Sequence, residues 1–166
     1  MHRLIALVFN YSLDGFLADR GTEFWKFCFE LLDRQGGADH DARTLDFLRS
    51  ASTHLMGRTA YEGMSADLPA QPEHPWADIV NRGRKVVLSH TLTTASWANT
   101  TIVRGGTAEE VERLRSGGDG HVVVWGGDRL WRSLMQLDLV DEWHFSLYPS
   151  TAKSTGLLEL RYRRPR

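Results

Sequence analysis

The sequence predicts an α/β fold, with a largely parallel central sheet, helices on both of its faces and an antiparallel edge near the C-terminus. Short strand-like apolar runs alternate with helical patterns along most of the 166 residues. The first run, Leu4–Phe9, is almost continuously apolar, which is typical of a strand covered on both faces. The last two runs, "EWHFSLY" and "GLLELRYR", have no helical pattern between them and are therefore expected to pair antiparallel.

Two helices are predicted between the first and second strands. The turn "SLDGFLA" follows the first strand, and "TEFWKFCFELL" then forms a helix. One apolar stripe of this helix consists of Phe24, Phe27, Cys28, Leu31 and Leu32. We expect Gly36 and Gly37 to end it and a second helix to begin at Asp39 or Asp41, since acidic residues favour a helix start. The inward residues of the second helix are then Leu45, Phe47 and Leu48.

The middle of the chain predicts a strand, a helix and two more strands. "THLMGRTAYEGM" indicates a brief strand, a turn at Gly57 and a helix start. Prolines make the next section a loop, which closes with a short helix near Trp76–Asn81. Lys85–Ser89 and Thr100–Val103 are the next strands, because both are short and rich in β-branched residues.

The last third predicts a helix, a strand and another helix before the two final strands. "TAEEVERLR" is a helix that Thr107 can cap, with Glu110 three residues later as in a capping box. "HVVVW" is a strand, and a helix that includes Leu130–Met135 follows it. No repeat, linker or low-complexity segment interrupts the series, so residues 1–166 are expected to form a single domain.

Composition and charge exclude several classes of partner. The chain is 42% apolar and 25% charged, as in ordinary globular proteins, and its formal charge of −1 gives no attraction to nucleic acid or to an anionic membrane. Cys28 is the sole cysteine, so no intrachain disulfide can form. The first apolar run is too short for a membrane span or a secretion signal, and we expect a cytoplasmic protein. The seven histidines lack the spacing of a metal site, so no metal is expected.

Two strand-to-helix junctions contain glycine where a ligand could approach the backbone. At "VVVWGGDRLW", Gly126 and Gly127 lack the Cβ atoms that would keep phosphate groups away, and the helix from Asp128 directs its positive end there. At "LMGRTAYEG", Gly57 forms the turn and Arg58 adds a cation suited to phosphate. Each junction alone also has a simpler explanation: the Gly-Gly pair can be a tight turn, and Arg58 can be a solvated charge at a helix start. Together they indicate a phosphate-bearing cofactor.

The order of these segments resembles that of the dihydrofolate-reductase-like family. The segments are "SLDGFLA", "LMGRTAYEG", "KVVLSHTL", "VVWGGDRLWRSLM" and "LVDEWHFSLYP". They are most similar to the branch that contains the riboflavin-biosynthesis reductase (RibD C-terminal) domain and its stand-alone relatives, and the similarity runs from about Leu4 to Pro149. This resemblance implies NADPH at the carboxyl edge of the sheet and reduction of a small heterocyclic or carbonyl substrate.

The resemblance assigns three elements of an NADPH site. The G-R-x-T element that meets the cofactor phosphates matches Gly57, Arg58 and Thr59, although Ala60 stands where the family often has threonine. The segment that often contacts the adenosine 2′-phosphate matches Ser89, His90 and Thr91, with His90 where arginine is common. The Gly-Gly loop that holds the pyrophosphate matches Gly126, Gly127, Asp128, Arg129 and Leu130.

Two carboxylates are candidates for the chemistry that the resemblance implies. Hydride transfer to a C=N or C=O bond requires a proton from an acid or a relayed water. Asp41 stands where dihydrofolate reductases have their acidic residue, and the plain alternative is a helix-start charge. Asp14 lies in the loop that in this family covers the nicotinamide, and the plain alternative is an Asp-Gly turn. The approach to the second helix lacks the family's proline, so folate itself is a poor substrate candidate.

The C-terminal region departs from the family pattern. In relatives, the strand ending in "YP" leads through a Gly-rich loop to a further strand, whereas here "STAKST" joins Pro149 almost directly to "GLLELRYRR". A sheet edge shortened near residues 150–155 would leave backbone groups unpaired, and relatives are often homodimers, so we expect a homodimer that covers this edge. Two functions stay open at this point: an NADPH-dependent reductase, or a non-catalytic nucleotide-binding protein on the same fold.

Overall fold

The structure is a computed structural model that describes residues 2–18, 20–35, 37–71, 76–117, 119–148 and 158–165. The strands within these residues are β1 (Leu4–Ser12), β2 (Ala51–Gly57), β3 (Lys85–Leu88), β4 (Thr100–Val103), β5 (His121–Trp125), β6 (Glu142–Tyr148) and β7 (Leu158–Arg163). The helices are α1 (Glu23–Gln35), α2 (Gly37–Arg49), α3 (Arg58–Asp67), α4 (Ala77–Arg82), α5 (Thr107–Arg115) and α6 (Asp128–Gln136). A short 3₁₀ helix, Leu68–Ala70, follows α3.

The strands form one sheet in the order β4-β3-β2-β5-β1-β6-β7. Every neighbouring pair from β4 to β6 is parallel, and only β7 runs antiparallel, against β6. Parallel neighbours need crossover connections, which contain helices here except between β3 and β4, where residues 89–99 form no helix. The predicted fold class, including its antiparallel C-terminal edge, is confirmed.

Both faces of the central strands are buried, as the continuous apolar run of β1 predicts. Leu4, Ala6 and Val8 pack in a core with side chains of α5 and α6. Leu7, on the other face of the sheet, packs in a second core with side chains of α2, α3 and α4. Successive residues of a strand point to opposite faces, so a strand between two helical layers must be apolar at every position.

A small separate cluster contains α1. Cys28 is fully buried there with Ala18, and Phe24 and Phe27 pack against it, as the predicted stripe requires. Burial raises the pKa of the Cys28 thiol to about 12, so it stays protonated and acts as a packing residue. The side chains of Leu31 and Leu32 and the predicted break at Gly36 lie outside the described residues. The second helix begins at Gly37, before either aspartate that was expected to start it.

The capping prediction for α5 is wrong. Gly106, with extended φ and ψ of −65° and 141°, is the N-cap residue, and no side chain caps the helix. Thr107 is already the first helical residue, so its hydroxyl is one position too late. Glu110 is buried and accepts a 2.9 Å hydrogen bond from Nε of Arg113 within the same helix.

The amino-terminal ends of several strands are closed by buried polar groups. Lys85 at the start of β3 is fully buried, and its ammonium donates to the carbonyls of Val80, Asn81 and Gly83 at 2.7–2.9 Å, which closes the end of α4. Burial lowers the pKa of Lys85 to about 8, so the ammonium is still charged at neutral pH. Charge-assisted bonds to helix-end carbonyls offset part of the cost of burying it.

Glu142 at the start of β6 is the centre of a second closed group. Its carboxylate accepts bonds from Arg3 (3.0 Å) and Arg163 (3.2 Å), and Nε2 of His144 lies 2.8 Å away. Burial raises the pKa of Glu142, but the bond from His144 and the charge of Arg163 outweigh it, and the net shift is downward. An ionised carboxylate only accepts, so His144 donates to it through Nε2.

Candidate active site

The carboxyl ends of neighbouring strands bring the predicted cofactor segments together. β2 lies between β3 and β5, with Gly57 paired to Leu88 and Met56 paired to Trp125. The segments that begin at the ends of these three strands are therefore neighbours in space. In open α/β sheets this edge is where ligands bind.

The two glycines after β5 have different roles. A Cβ atom on Gly126 would collide with the indole of Trp131, whereas a Cβ on Gly127 would meet no atom within 4 Å. Gly127 is the N-cap residue of α6, in an extended conformation (φ −111°, ψ 172°) that any residue can adopt, and no side chain caps the helix. The absence of a side chain is thus a packing requirement at Gly126, and at Gly127 it leaves open space beside the first N–H groups of α6.

Gly57 repeats this arrangement at the start of α3. It is an extended N-cap residue (φ −87°, ψ 171°) without a side-chain cap, so its backbone is not the special turn that the sequence suggested. A Cβ on Gly57 would lie 3.8 Å from Cβ of Leu130, which places the two junctions in direct contact. Leu130 itself packs into the core and joins the two loops rather than facing outward.

The predicted charged residues of these junctions are exposed and only lightly constrained. Arg58 is half exposed and lies 3.3 Å from Glu62, one turn along α3, and Thr59 is exposed beside it. Asp128 is exposed and pairs with Nε of Arg132 at 2.8 Å, while Arg129 is exposed. Surface pairs one helical turn apart contribute only about 0.3–0.5 kcal/mol, so Arg58 is able to exchange Glu62 for an anionic ligand.

Ser89 organises the third predicted segment. Its hydroxyl accepts bonds from the backbone N–H groups of Thr91 (3.3 Å) and Leu92 (3.0 Å), a local turn that leaves His90 and Thr91 exposed. Arg104 follows β4 and donates to the carbonyl of Leu92 at 3.1 Å. This cation was missed by sequence reasoning because it lies on a different strand end, and only the β3–β4 pairing brings it to the Ser89 turn.

Trp131 is a second residue that sequence reasoning missed. It is 7% exposed, lies beneath Gly126 and contacts Tyr11 at the end of β1, with 6.5 Å between ring centroids. Its Nε1–H has no hydrogen-bond partner among the described residues. A buried indole N–H normally has a partner, so this orphan donor packed against Gly126 is an unusual feature of the Gly-Gly loop.

An aromatic group lies at the same edge on the opposite face of the sheet. The ring of Trp125 stacks on Trp76 with 5.5 Å between centroids and 23° between planes, and Phe9 lies 6.2 Å away. Nε1 of Trp125 donates to Nδ1 of His54 at 2.9 Å, which fixes the indole. Phe9 and Trp76 are half-buried and Trp125 is only 6% exposed, so only the outer rings of this group reach the surface next to the glycine junctions.

Comparison with known proteins identifies the family. The family model of the RibD C-terminal domain matches residues 3–152. The chain belongs to this family. The uncharacterized protein YyaP of Bacillus subtilis is 26% identical over 152 residues, which cover 89% of this chain and 75% of that protein.

Two solved structures share the fold of this RibD C-terminal domain. A putative riboflavin biosynthesis protein from Shewanella sp. PV-4 has a TM-score of 0.70 at 17% identity, with 99% of both chains covered. A pyrimidine reductase-like protein from Corynebacterium diphtheriae has a TM-score of 0.54 at 12% identity, covering 99% of this chain and 92% of the other. The α/β fold class expected from the sequence is therefore also the fold of these two proteins.

The two predicted carboxylates of this RibD C-terminal domain are placed differently. Asp14 is exposed at the tip of a tight turn after β1, which Ser12 closes by accepting a 2.8 Å bond from the N–H of Phe16. Leu13 and Phe16 of the same turn are 58% and 67% exposed. Asp41 lies in α2, one turn before Thr44, and its side chain is outside the described residues.

A cavity of about 40 Å³ lies beneath α2, between the helix and the face of β1, β6 and β7. Thr44 and Phe47 line it from α2, and Leu7, His144 and Ser146 from the sheet. It has room for a few water molecules and is too small for a heterocycle. Within the described ranges, no cluster of three metal-ligating side chains and no helix long and apolar enough to span a membrane is found.

Proposed function

We propose that the protein is an NADPH-dependent reductase of a small, flat heterocyclic substrate. The observation that supports this most directly is the open space at Gly127, where two contiguous strand ends each start a helix from an uncapped glycine. The unsatisfied N–H groups and positive ends of two helices at one place suit a pyrophosphate.

Different residues of the chain are proposed to bind different parts of the cofactor. The N-termini of α3 and α6, with Arg58, bind the pyrophosphate. The Ser89 turn and Arg104 bind the adenosine 2′-phosphate, which only NADPH carries. Arg104 supplies the cation that is absent at His90, so the departure from the family pattern does not argue against NADPH.

The aromatic group of Phe9, Trp76 and Trp125 supports a flat, conjugated substrate. Aromatic rings bind such molecules by offset stacking, and His54 holds the central indole in one orientation. When bound, NADPH supplies a hydride to a C=N or C=O bond. Asp41 on α2 is the proposed proton donor, with Asp14 as the alternative; the exposed turn of Asp14 is better suited to covering the site.

Binding and turnover test this proposal in two steps. Quenching of the six tryptophans on titration with NADPH, then NADH, should saturate, with NADPH binding more tightly. Oxidation of NADPH should then accelerate with a member of a panel of pterins and flavin precursors, and Asp41→Asn should slow turnover without changing NADPH affinity. No saturable binding of either nucleotide at millimolar concentration would contradict the proposal. Tight binding with no turnover on any substrate class would refute the reductase function and leave a nucleotide-binding protein.

A further inference from the structure

The order of the strands indicates where each part of the proposed cofactor lies along the carboxyl edge of the sheet. The Ser89 turn and Arg104 follow β3 and β4, and the uncapped starts of α3 and α6 follow β2 and β5. In the order β4-β3-β2-β5-β1, the proposed 2′-phosphate position therefore lies on one side of the proposed pyrophosphate position, and β1 lies on the other. An extended dinucleotide then has its nicotinamide half near the end of β1.

The carboxyl end of β1 projects beyond that of its neighbour β5. Leu7 pairs with Trp125, the last residue of β5, whereas β1 continues to Ser12. The projecting part of β1 is thus a wall on one side of the open space at Gly127, and the Gly57 junction lies on the other side. A ligand that extends along the edge from Gly127 in this direction passes the side chains of the projecting residues.

A β-bulge in the projecting part of β1 changes the direction of the Tyr11 side chain. Val8 of β1 pairs with Phe145 of β6. Three residues later Tyr11 pairs with Leu147, which is only two residues further along β6, so β1 contains one extra residue. By alternation alone Tyr11 would share the α2 face of the sheet with Leu7, but the extra residue turns it to the opposite face, where it packs against the core of α5 and α6. Bulges are rare between parallel strands, and they often re-aim a side chain next to an active site.

The ring of Tyr11 is fixed by packing, and its hydroxyl is available to a ligand. The ring lies against the indole of Trp131, with 6.5 Å between centroids and 55° between planes, and this indole is in contact with Gly126. Tyr11 is half-buried, and its hydroxyl has no hydrogen-bond partner among the described residues. The pKa of Arg132 is raised mainly by its hydrogen bond with Asp128 and by the charge of that carboxylate, and to a smaller extent by Tyr11. The phenol therefore lies beside the first two turns of α6 and can donate or accept a hydrogen bond there.

We propose that Tyr11 is a cofactor-binding residue whose hydroxyl forms a hydrogen bond with the nicotinamide riboside half of NADPH. This inference rests on the proposed reductase function, from which it takes the positions of the pyrophosphate and the 2′-phosphate. The ribose hydroxyls both donate and accept, as the phenol does. Because Trp131 fixes the ring before the cofactor binds, little side-chain entropy is lost on binding. Tyr11 adds a contact on β1 to a site whose other residues follow β2, β3, β4 and β5.

Two ligands that share the adenosine half and the pyrophosphate test this assignment. NADPH carries the nicotinamide riboside, and 2′-phosphoadenosine 5′-diphosphate lacks it. Tyr11→Phe keeps the ring against Trp131 and removes only the hydroxyl. In fluorescence titrations this variant should bind NADPH about fivefold more weakly than the wild type, with no change in its affinity for the fragment. Tyr162→Phe, which removes an exposed hydroxyl on β7, is the matched control and should bind both ligands like the wild type.

The outcomes separate the role of Tyr11 from the proposed function. An unchanged NADPH affinity in Tyr11→Phe would overturn the role of Tyr11 alone, since the wild type still binds the cofactor. An equal loss of affinity for NADPH and for the fragment would also overturn it, because Tyr11 would then act on the phosphate groups or on the fold. A wild-type chain that binds neither ligand at millimolar concentration would contradict both proposals. Urea denaturation of each variant should give the wild-type midpoint, which confirms that the fold is retained.

Discussion

The two ends of the parallel strands are chemically unlike. At the amino ends, buried charges are fixed by partners within the chain: Lys85 by three carbonyls, and Glu142 by Arg3, Arg163 and His144. At the carboxyl ends, Gly57 and Gly127 start helices without any side-chain cap. The amino ends pair their buried polar groups within the chain, and the carboxyl ends leave two helix starts without a side-chain cap.

This difference indicates that the amino ends of the strands contribute mainly to stability and the carboxyl ends mainly to the proposed cofactor binding. Changes at the amino ends should alter the free energy of unfolding and leave cofactor affinity unchanged. Changes at the open, uncapped positions of the carboxyl ends should chiefly alter cofactor affinity, because the groups there contribute little to the folded state.

The largest expected effect is on stability, at Lys85. Lys85→Met removes a buried ammonium and leaves three carbonyls without their donor, so the free energy of unfolding should fall by about 3 kcal/mol. Urea denaturation followed by tryptophan fluorescence measures this. Arg84→Met, an exposed neighbour, is the control and should change stability by less than about 0.5 kcal/mol. A loss below about 1 kcal/mol for Lys85→Met would show that the amino ends are not closed in the way described.

The next effect is a loss of stability in acid, due to His121. Burial lowers the pKa of His121 to about 4, with smaller contributions from the charges of Arg3 and His144, against 6.5 in the unfolded chain. The unfolded state therefore binds the extra proton first as pH falls. The stabilisation is complete above pH 6.5 and is lost between about 6.5 and 4, by about 2 kcal/mol.

Removing the imidazole tests this pH dependence. Urea midpoints measured from pH 7 to pH 4 should decline less steeply in His121→Leu than in the wild type. His54, whose pKa burial also lowers to about 4, contributes a similar slope and remains in both proteins. Identical slopes for wild type and His121→Leu would contradict the assignment.

The smallest effect is one of cofactor discrimination at the carboxyl end. Arg104→Ala should weaken NADPH binding by about tenfold, since one exposed charge-assisted contact is lost, and should leave NADH affinity unchanged. Fluorescence titration with both nucleotides measures the ratio. Arg82→Ala, an exposed arginine that pairs with Asp78 on α4, is the control. An equal loss for NADPH and NADH would place Arg104 away from the 2′-phosphate.

The sequence predicted the sheet and the glycine junctions well because both depend on local chemistry. Apolar runs and helical stripes indicate which residues are buried. A glycine after a strand indicates a position where no side chain covers the backbone. The contacts of Trp131 with Gly126 and of Arg104 near Ser89 could not be predicted from the sequence, because each depends on how two separate elements pack together. The cap assigned to Thr107 failed because a helix start shifts by one residue without changing the apolar pattern.

The buried position of Lys85, at the amino ends of the strands, could not be predicted from the sequence either. In the sequence it is only the first residue of a strand, and nothing nearby indicates that α4 ends against its ammonium. Buried charges are rare, and their partners are set by tertiary packing rather than by sequence spacing.

One pair of substitutions tests the central claim most directly, that the carboxyl edge is built for a phosphate-bearing cofactor. Gly127→Asp adds an N-cap carboxylate to α6 in open space, so it should raise the free energy of unfolding by about 1 kcal/mol and weaken NADPH binding by about 100-fold through repulsion. Gly126→Ala, which collides with Trp131, should instead destabilise the fold. Unfolding curves and NADPH titrations of both variants give the answer. If Gly127→Asp is stabilised and still binds NADPH like the wild type, the edge is not the cofactor site.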